Sequence, residues 1–522
     1  MALSDNPQTI AQLLERVAKH ASTKFDTTDP QQRQTLPQKP FPSSSSALLQ
    51  SEDANIDPAT RAFLSLQLTQ RGSGLETTVE ELLSRIAPSI ANSAGPRYFG
   101  LVTGGVTPAA FIADWIVTTY DQNAILHSPE AMSGYSVITE QAMMMVLDLF
   151  NLPREQGPRR PASEYGEAEE KYFRAMTTTG STASNVVGMA VGRQWLGIHE
   201  RGVDYCQDGY DGQVVVVTNM AHASVWKAAS ILGIGRKQVI EIPGMGVTEG
   251  GSEETFENEI KRLKQAGKAV LVFLSFGEVN TGIFPRNTRR VAEICKQYNT
   301  YLHIDGAFGI YARCSPKYEH LADGLELAHS ITACGHKWLN VPYDCGLFLY
   351  RQSLEKSTME PLFSSTAAYL QPSDTPFSHP MNISIENSQR FRALPVWATL
   401  RAYGRDGYKN IVEENCRFAK TLFDWMKLTR PDLYTVLTED CPLNIVVFAQ
   451  TLQKEEDPQV LEKKNADLLA RINDTGVAYF SPTVWKGRPA IRAAISNWKT
   501  TVELDWEPVR VMLEEQATAL RE

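Results

Sequence analysis

His303-Ile304-Asp305-Gly306-Ala307-Phe308-Gly309 and, further along, His336-Lys337-Trp338-Leu339-Asn340-Val341-Pro342-Tyr343-Asp344-Cys345-Gly346 are the stretches on which the fold turns. Tyr301-Leu302-His303-Ile304 is an apolar, β-prone run, and Asp305 stands where such a strand would end. A lone Asp there is ordinarily a strand-end or capping residue, and a lone His-Lys pair is ordinarily surface. Together and in this order they have a joint chemical use. A lysine that forms a Schiff base with an aldehyde cofactor needs a second group to keep the cofactor's ring nitrogen protonated. An acid at one strand end and a lysine just after the next strand supply both. The pair points to pyridoxal 5'-phosphate (PLP).

The neighbouring sequence supplies a sheet for these residues. Val214-Val215-Val216-Val217 and Ala269-Val270-Leu271-Val272-Phe273 are continuous apolar runs, as expected of strands buried on both faces of a mostly parallel sheet. Open α/β sheets bind ligands at the carboxyl ends of their strands. Thr177-Thr178-Thr179-Gly180-Ser181-Thr182-Ala183-Ser184-Asn185 is a small-residue turn opening a helix over Val186 to Trp195. Its N–H groups, hydroxyls and positive helix end suit a phosphate, although an ordinary Ser/Thr cap has the same composition. Ala221-His222-Ala223-Ser224 follows the strand ending at Thr218. An imidazole there can lie flat on a cofactor ring and exchange protons with a substrate carbon; a satisfied core histidine is the alternative. Gly277-Glu278-Val279-Asn280-Thr281-Gly282 ends the strand over Val270–Ser275 with a polar turn. Asp305 would favour a protonated ring by charge pairing.

The 522 residues suffice for two or three domains with a large core. Hydrophobic content is 43%, and no apolar run approaches the roughly 20 residues of a membrane span. A net charge of −9 without a basic cluster argues against a nucleic-acid surface. Seven cysteines without a CxxC pair suit free thiols in a reducing compartment and exclude the usual zinc spacings, so no metal is expected. Met1-Ala2-Leu3-Ser4-Asp5 has no basic region leading into an apolar stretch. The expected location is cytoplasmic.

Residues 8–20 should be helical, with Ile10, Leu13, Leu14 and Val17 on one face, and Thr77 to Ile90 likewise. The Pro-, Gln- and Ser-rich stretch over 26–57 reads as an extended or mobile arm, and Arg154 to Lys171 as a surface excursion. A closing α/β unit is expected from a strand over Asn444–Phe448, a helix over Pro458–Ile472, a strand over Ala490–Ser496 and a helix over Val502–Leu520. These readings divide the chain into an N-terminal arm (1–96), a large α/β domain (97–375) and a small C-terminal α/β domain (376–522).

The ordered set resembles the group II PLP-dependent amino acid decarboxylases, whose relatives include the aromatic amino acid and glutamate decarboxylases. The resemblance runs from about residue 90 to 505. It is carried by Pro96 to Gly100, Asp121-Gln122-Asn123, Glu278 to Phe284, His303 to Gly309, His336 to Gly346 and Thr483 to Trp498. It implies an α/β chain of PLP fold type I (aspartate aminotransferase-like), forming a homodimer with shared active sites and the N-terminal arm wrapped over the partner. By resemblance, Lys337 carries the Schiff base, Asp305 contacts the ring nitrogen and His222 stacks on the ring. Ser181 and Thr182 contact the phosphate, Ala307 packs under the ring and His336 borders the substrate. Tyr98, Phe99, Gln122, Asn123 and His379 are candidate substrate residues, and Arg492 can hold a carboxylate or form a structural ion pair.

The sequence also departs from that pattern. Cys334 replaces a residue often Asn or Asp, Glu278 stands for Asn, and Pro285 follows where an aspartate is usual. The mobile loop expected between Gln371 and Asn387 contains Phe377 and His379 but no tyrosine, and the nearest is Tyr369. In relatives a loop tyrosine protonates the α-carbon after CO2 departs. Members with Phe there divert to O2 and release an aldehyde, ammonia and peroxide. The resemblance therefore implies decarboxylation of an L-amino acid to an amine and CO2. The alternatives are a decarboxylating aldehyde synthase and a catalytically silent PLP-binding relative; His379 or His222 as donor would keep amine formation.

Overall fold

The computed structural model describes residues 6–37, 68, 70–122, 134–155, 171–242, 253–364, 379–451 and 458–521. Helices α1 (Pro7–Thr23), α2 (Leu75–Glu81), α3 (Pro108–Tyr120) and α4 (Gly134–Leu149) precede the first sheet. The strands of that sheet are β1 (Phe173–Thr178), β2 (Val214–Thr218), β3 (Val239–Glu241), β4 (Ala269–Ser275), β5 (Tyr301–Asp305), β6 (Ser330–Cys334) and β7 (Gly346–Arg351). Between them run α5 (Ser181–Leu196), α6 (Ser224–Ile231), α7 (Glu253–Gln265) and α8 (Thr288–Gln297). The spatial order is β1-β7-β6-β5-β4-β2-β3, and β7 alone runs antiparallel to its neighbours.

The unbroken apolar runs have the expected cause. Val215, Val217, Val270, Val272, Leu302 and Ile304 face one core, while Val214, Val216, Leu271, Phe273 and Tyr301 face a second on the other side. Alternate residues thus enter opposite cores, and each strand must be apolar throughout. This is the α/β, mostly parallel sheet of PLP fold type I.

The chain continues through the long helix α9 (Ala393–Asp424), broken at Gly404, where φ is 58°. A four-stranded antiparallel sheet follows, in the order β10-β11-β9-β8: β8 (Tyr434–Val436), β9 (Ile445–Gln450), β10 (Ser481–Trp485) and β11 (Arg488–Ala494). Helices α10 (Pro458–Asp474) and α11 (Val502–Ala519) complete this unit. Its core joins Phe418, Leu422, Phe448, Ile472, Phe480, Ile491 and Leu513. Helix α9 joins two of these cores, with Val396, Leu400 and Val412 in the first core of the large sheet and Phe418 onward in the core of the C-terminal unit.

The N-terminal segment departs from its compositional reading. Residues 26–37 dock onto the C-terminal unit: Arg33 is buried and ion-paired to Asp505, and the Thr35 N–H donates to the Gly476 carbonyl. A buried ion pair outweighs a polar local composition. Residues 38–57 of the proposed arm, and most of the 154–171 excursion, lie outside the described residues.

Two buried histidines give the fold an acid limit. His303 is enclosed between Ser330 and Thr332, and His329 accepts the Leu302 N–H; burial pushes their pKa values down to about 3 and about 4. The unfolded chain takes up protons on both below about pH 6.5, whereas the folded chain does not. Stability is therefore complete above that pH and falls as pH drops toward 4. The expected loss is about 2 kcal/mol for each histidine at pH 5. Urea unfolding at pH 7.5 and 5 measures it, and a flat profile would contradict the assignment.

Candidate active site

The carboxyl ends of the parallel strands meet in register, Ser275 with Asp305 and Asp305 with Thr332, and the end of β6 meets the start of antiparallel β7, Cys334 with Gly346. Beyond them opens a cleft lined by Ser181, Met220, His222, Ser275, Gly277, Val279, Asp305, Ala307, Phe308 and Lys337. Lys337, Asp305, His222, Ser181 and Ala307, separated in sequence, are thus brought together. The Lys337 Nζ lies 5.6 Å from the centre of the Phe308 ring.

The residues around Lys337 form a clamp. Trp338 is fully buried and its indole N–H donates to Asn415 on α9 at 2.8 Å. Asn340, with φ of 57°, donates to the carbonyls of Trp338 and Ser496 and accepts from the Trp498 N–H. On the other side, the Gly104 N–H donates to the His336 carbonyl at 3.2 Å. A Cβ at Gly104 would stand 1.6 Å from the Lys337 carbonyl oxygen, so only glycine fits. Gly104→Ala is expected to displace Lys337 and to lower turnover by on the order of 100-fold, the effect of roughly 1 Å misplacement. Steady-state assay with a melting curve as control checks this; an unaffected rate would mean that Gly104 does not fix the position of Lys337.

Asp305 is 7% exposed. Its carboxylate accepts from Asn185 Nδ2 at 2.8 Å and from the Ala307 N–H at 3.1 Å, and among the described residues it has no ion-paired cation. A buried carboxylate without a countercharge is expensive unless a cation arrives with a ligand. At the adjoining end of the cleft, α5 starts at Ser181, five residues earlier than the sequence suggests, behind an extended Gly180 that provides no side-chain cap. Its first-turn N–H groups can receive an anion. A buried acid, an amine and an uncapped helix end in one cleft fit the ring nitrogen, aldehyde and phosphate of PLP.

His222 is brought over the cleft by a tight turn in which Met220 has φ of 29°. Its Nδ1 lies 2.8 Å from Ser224 Oγ and accepts the Ser224 backbone N–H at 3.2 Å. Burial lowers its pKa, opposed by Asp305 and reinforced by Lys337 and Arg492. His336 stacks on Tyr343 with ring centres 4.5 Å apart, and Cys334 Sγ lies 3.3 Å from its Nε2. Burial, then Lys337, pushes its pKa to about 4, so it is neutral near pH 7.

The substrate candidates divide. Tyr98 is half-buried and stacks on Tyr479 at 4.7 Å and 7°. Phe99 requires correction: it is 1% exposed, packed against Phe418 and Phe480 in the C-terminal core, and does not line the cleft. Thr182 sits in the first turn of α5 beside Ser181 and is not part of the cleft wall. Gln122 follows the end of α3, and His379 precedes a short helix over Pro380–Ile383; neither lines the cleft. Asn123, Tyr369 and Phe377 lie outside the described residues.

The departures also have local explanations. Glu278 closes its own turn, accepting from the backbone N–H groups of Asn280 and Thr281 and from the Thr281 hydroxyl. Arg492, 7% exposed, donates to the Val279 carbonyl at 2.9 Å, while its Nε is buried without a partner among the described residues. Asn185, Ser275 and Met220 also belong to the site, although the sequence alone does not single them out. The position of Asn185 in a small-residue helix start is the one signal that points to it.

Fold and cleft together define a PLP-dependent enzyme of fold type I. The chain matches the model for the pyridoxal-dependent decarboxylase conserved domain over residues 59–451 and belongs to that family, a family of PLP-dependent carboxy-lyases. It is 26% identical over 348 residues to an aromatic-L-amino-acid decarboxylase of Bacillus atrophaeus, covering 65% of this chain and 68% of that protein. It is 27% identical over 319 residues to a phenylacetaldehyde synthase of Petunia hybrida, covering 58% and 62%. The crystal structure of Oryza sativa TDC with PLP and tryptamine superposes with a TM-score of 0.81 at 18% identity, over 99% of both chains, which establishes the fold. Among the described residues no helix is long and apolar enough to cross a membrane.

Proposed function

We propose that this protein decarboxylates an L-amino acid to the corresponding amine and CO2, with Lys337 as the amine that holds PLP. The observation that carries the reading is Asp305, a buried carboxylate lacking an ion-paired cation among the described residues, in the same cleft as the Lys337 amine. Bound there, PLP supplies an electron sink for the bond broken at the substrate α-carbon. Asp305 would hold a proton at the ring nitrogen, and His222 and Ala307 would confine the ring from either side. Ser181 and Thr182, with the N–H groups that open α5, would hold the phosphate.

Which α-carbon bond breaks depends on how the substrate carboxylate is held. Arg492 is suited to hold it, being a buried guanidinium whose Nε has no partner among the described residues, next to the Val279 wall of the cleft. His336, neutral and fixed between Cys334 and Tyr343, would border the substrate; burial pushes the Tyr343 phenol up, and nearby Tyr98 raises it further. Gln122, Asn123 and His379 remain candidates for the substrate side chain.

A homodimer is part of the proposal. Helix α3 buries Ala110, Ala113 and Val117 yet exposes Ile112, Trp115, Ile116 and Tyr120, and α1 exposes Ile10 and Leu14. A helix apolar on both faces calls for a cover, and a second copy provides one. The domain division at 96 and 375 is likewise proposed, supported by the separate core of the C-terminal unit. All seven cysteines are free, which supports a reducing, cytoplasmic location.

The absence of tyrosine between residues 371 and 387 favours a second reading, oxidative release of an aldehyde. That route consumes the amino acid, O2 and water and yields aldehyde, CO2, ammonia and hydrogen peroxide. Incubation with a pool of amino acids identifies the one consumed; assay of amine against aldehyde plus peroxide then separates the readings. The amine alone is expected. Failure of the purified chain to acquire a PLP absorbance band would overturn all of these readings, and a band retained in Lys337→Ala would favour a silent PLP-binding relative over the two enzymatic ones.

A further inference from the structure

Asn185 lies on α5, one turn beyond the proposed phosphate-binding residues, and is 1% exposed. Its Nδ2 donates in two directions: to Asp305 Oδ2 at 2.8 Å and to Ser224 Oγ at 2.9 Å. A carboxylate only accepts, so the amide must turn its NH2 group toward Asp305. Ser224 Oγ, having accepted from Asn185, offers its own proton to His222 Nδ1 at 2.8 Å. The Ser224 backbone N–H points at the same nitrogen from 3.2 Å, and a backbone N–H cannot be reversed. Nδ1 is therefore an acceptor, and the imidazole carries its proton on Nε2.

We propose that Asn185 and Ser224 are positioning residues that join Asp305 to His222 through one directional hydrogen-bond relay and hold His222 as the neutral Nε2–H tautomer. The proposal rests on the reading of Asp305 and His222 as the groups that face the cofactor ring. Its chemical consequence is a division of charge. A cationic His222 would need a proton on Nδ1, where it would oppose the Ser224 N–H and break the relay. With the imidazole neutral, a protonated cofactor ring has Asp305 to itself. The charged groups that also act on His222 are Asp305, Lys337 and Arg492. Because Asn185 and Ser181 share one rigid helix, phosphate seating and the orientation of Asp305 are set by the same element.

The test compares Asn185→Ala, Asn185→Asp and Ser224→Ala by PLP titration of the apoprotein, by ¹⁵N resonances of the His222 imidazole in apoprotein and holoenzyme, and by kcat and KM. Asn185→Ala is expected to weaken PLP binding about 10- to 100-fold, the range of a lost hydrogen bond to a charged group. Asn185→Asp preserves shape but places an acceptor against Asp305, and is expected to be worse than alanine. A residue that merely fills space would give the opposite order. Ser224→Ala, which keeps the backbone N–H, is expected to shift the Nδ1 resonance and lower kcat more than it changes KM. Wild-type His222 resonances and PLP affinity in Ser224→Ala, or Asn185→Asp milder than Asn185→Ala, would overturn the relay. If wild-type protein takes up no PLP, the functional reading fails instead, which the wild-type titration reveals separately.

Discussion

Asp305→Asn is expected to lower turnover by on the order of 10²- to 10³-fold while leaving the cofactor-free protein about as stable as the parent. The two halves of this expectation have different causes. In the apoprotein, Asp305 is a buried negative charge held by two neutral N–H groups and by no ion-paired cation among the described residues. Removing such a charge relieves a desolvation penalty, which offsets the loss of one of its two accepted hydrogen bonds, since asparagine accepts through a single oxygen. The holoenzyme differs, because the lost partner is the one that keeps the ring nitrogen protonated. PLP added to wild-type protein should raise the melting temperature, in proportion to the logarithm of its concentration over Kd, and much of that rise should disappear in the variant. Melting curves with and without PLP, beside an assay of substrate consumption, measure both halves. Full turnover in Asp305→Asn would mean that the ring nitrogen is not served by this carboxylate, and the cofactor would then have to lie in another orientation.

The parts of the site that were legible in sequence share a physical origin. Strands β2, β4 and β5 are buried on both faces, so their composition is extreme, and the polar residues at their carboxyl ends stand out. Asp305, His222 and the Gly277–Gly282 turn could be placed for that reason, and Lys337 through its distinctive neighbours. Strand β1, Phe-Arg-Ala-Met-Thr-Thr, was harder to see because Arg174 sits within it; its charge is met by Glu355 at 2.8 Å, a partner far away in the chain. Asn185 shows in sequence only as part of a small-residue helix start, because its partners, Asp305 and Ser224, are likewise far away in the chain. Phe99 differs from its sequence reading for another reason. Tyr98 and Phe99 are neighbours on an extended segment that bridges to Tyr479, and successive side chains there point to opposite faces. One residue can face the rim only if the next enters the core. Arg33 was hidden in a polar stretch whose composition says nothing of a buried acid waiting near the other end of the chain.

That acid gives the largest expected effect on stability. Asp505 is fully buried in the first turn of α11; it accepts from Arg33 Nη1 at 2.5 Å, from Arg97 Nε at 2.7 Å and from the Thr501 N–H at 3.0 Å. Both guanidinium groups are themselves buried, and Arg97 also donates to the Leu504 carbonyl while Arg33 holds the Thr27 carbonyl. One carboxylate therefore ties the N-terminal segment, the approach to Tyr98 and the last helix together. Asp505→Ala leaves two positive charges in a low-dielectric environment, close enough to repel, and removes an acid from the positive end of a helix. The expected loss is about 3–5 kcal/mol, the range for breaking a buried ion pair on one side only. Activity should fall with it even at temperatures where the chain stays folded, because Arg97 immediately precedes Tyr98, a candidate substrate residue. Arg33→Met in the Asp505→Ala background should recover part of the stability, since it removes one of the stranded charges and keeps an apolar stem of similar length. Urea unfolding of the two single variants and the double variant forms the cycle. If Asp505→Ala unfolds within about 1 kcal/mol of the parent, the value of an exposed pair, the cluster is open to water and does not anchor the N-terminal segment. If the double variant is weaker than the sum of the singles, the two arginines are not competing for one countercharge.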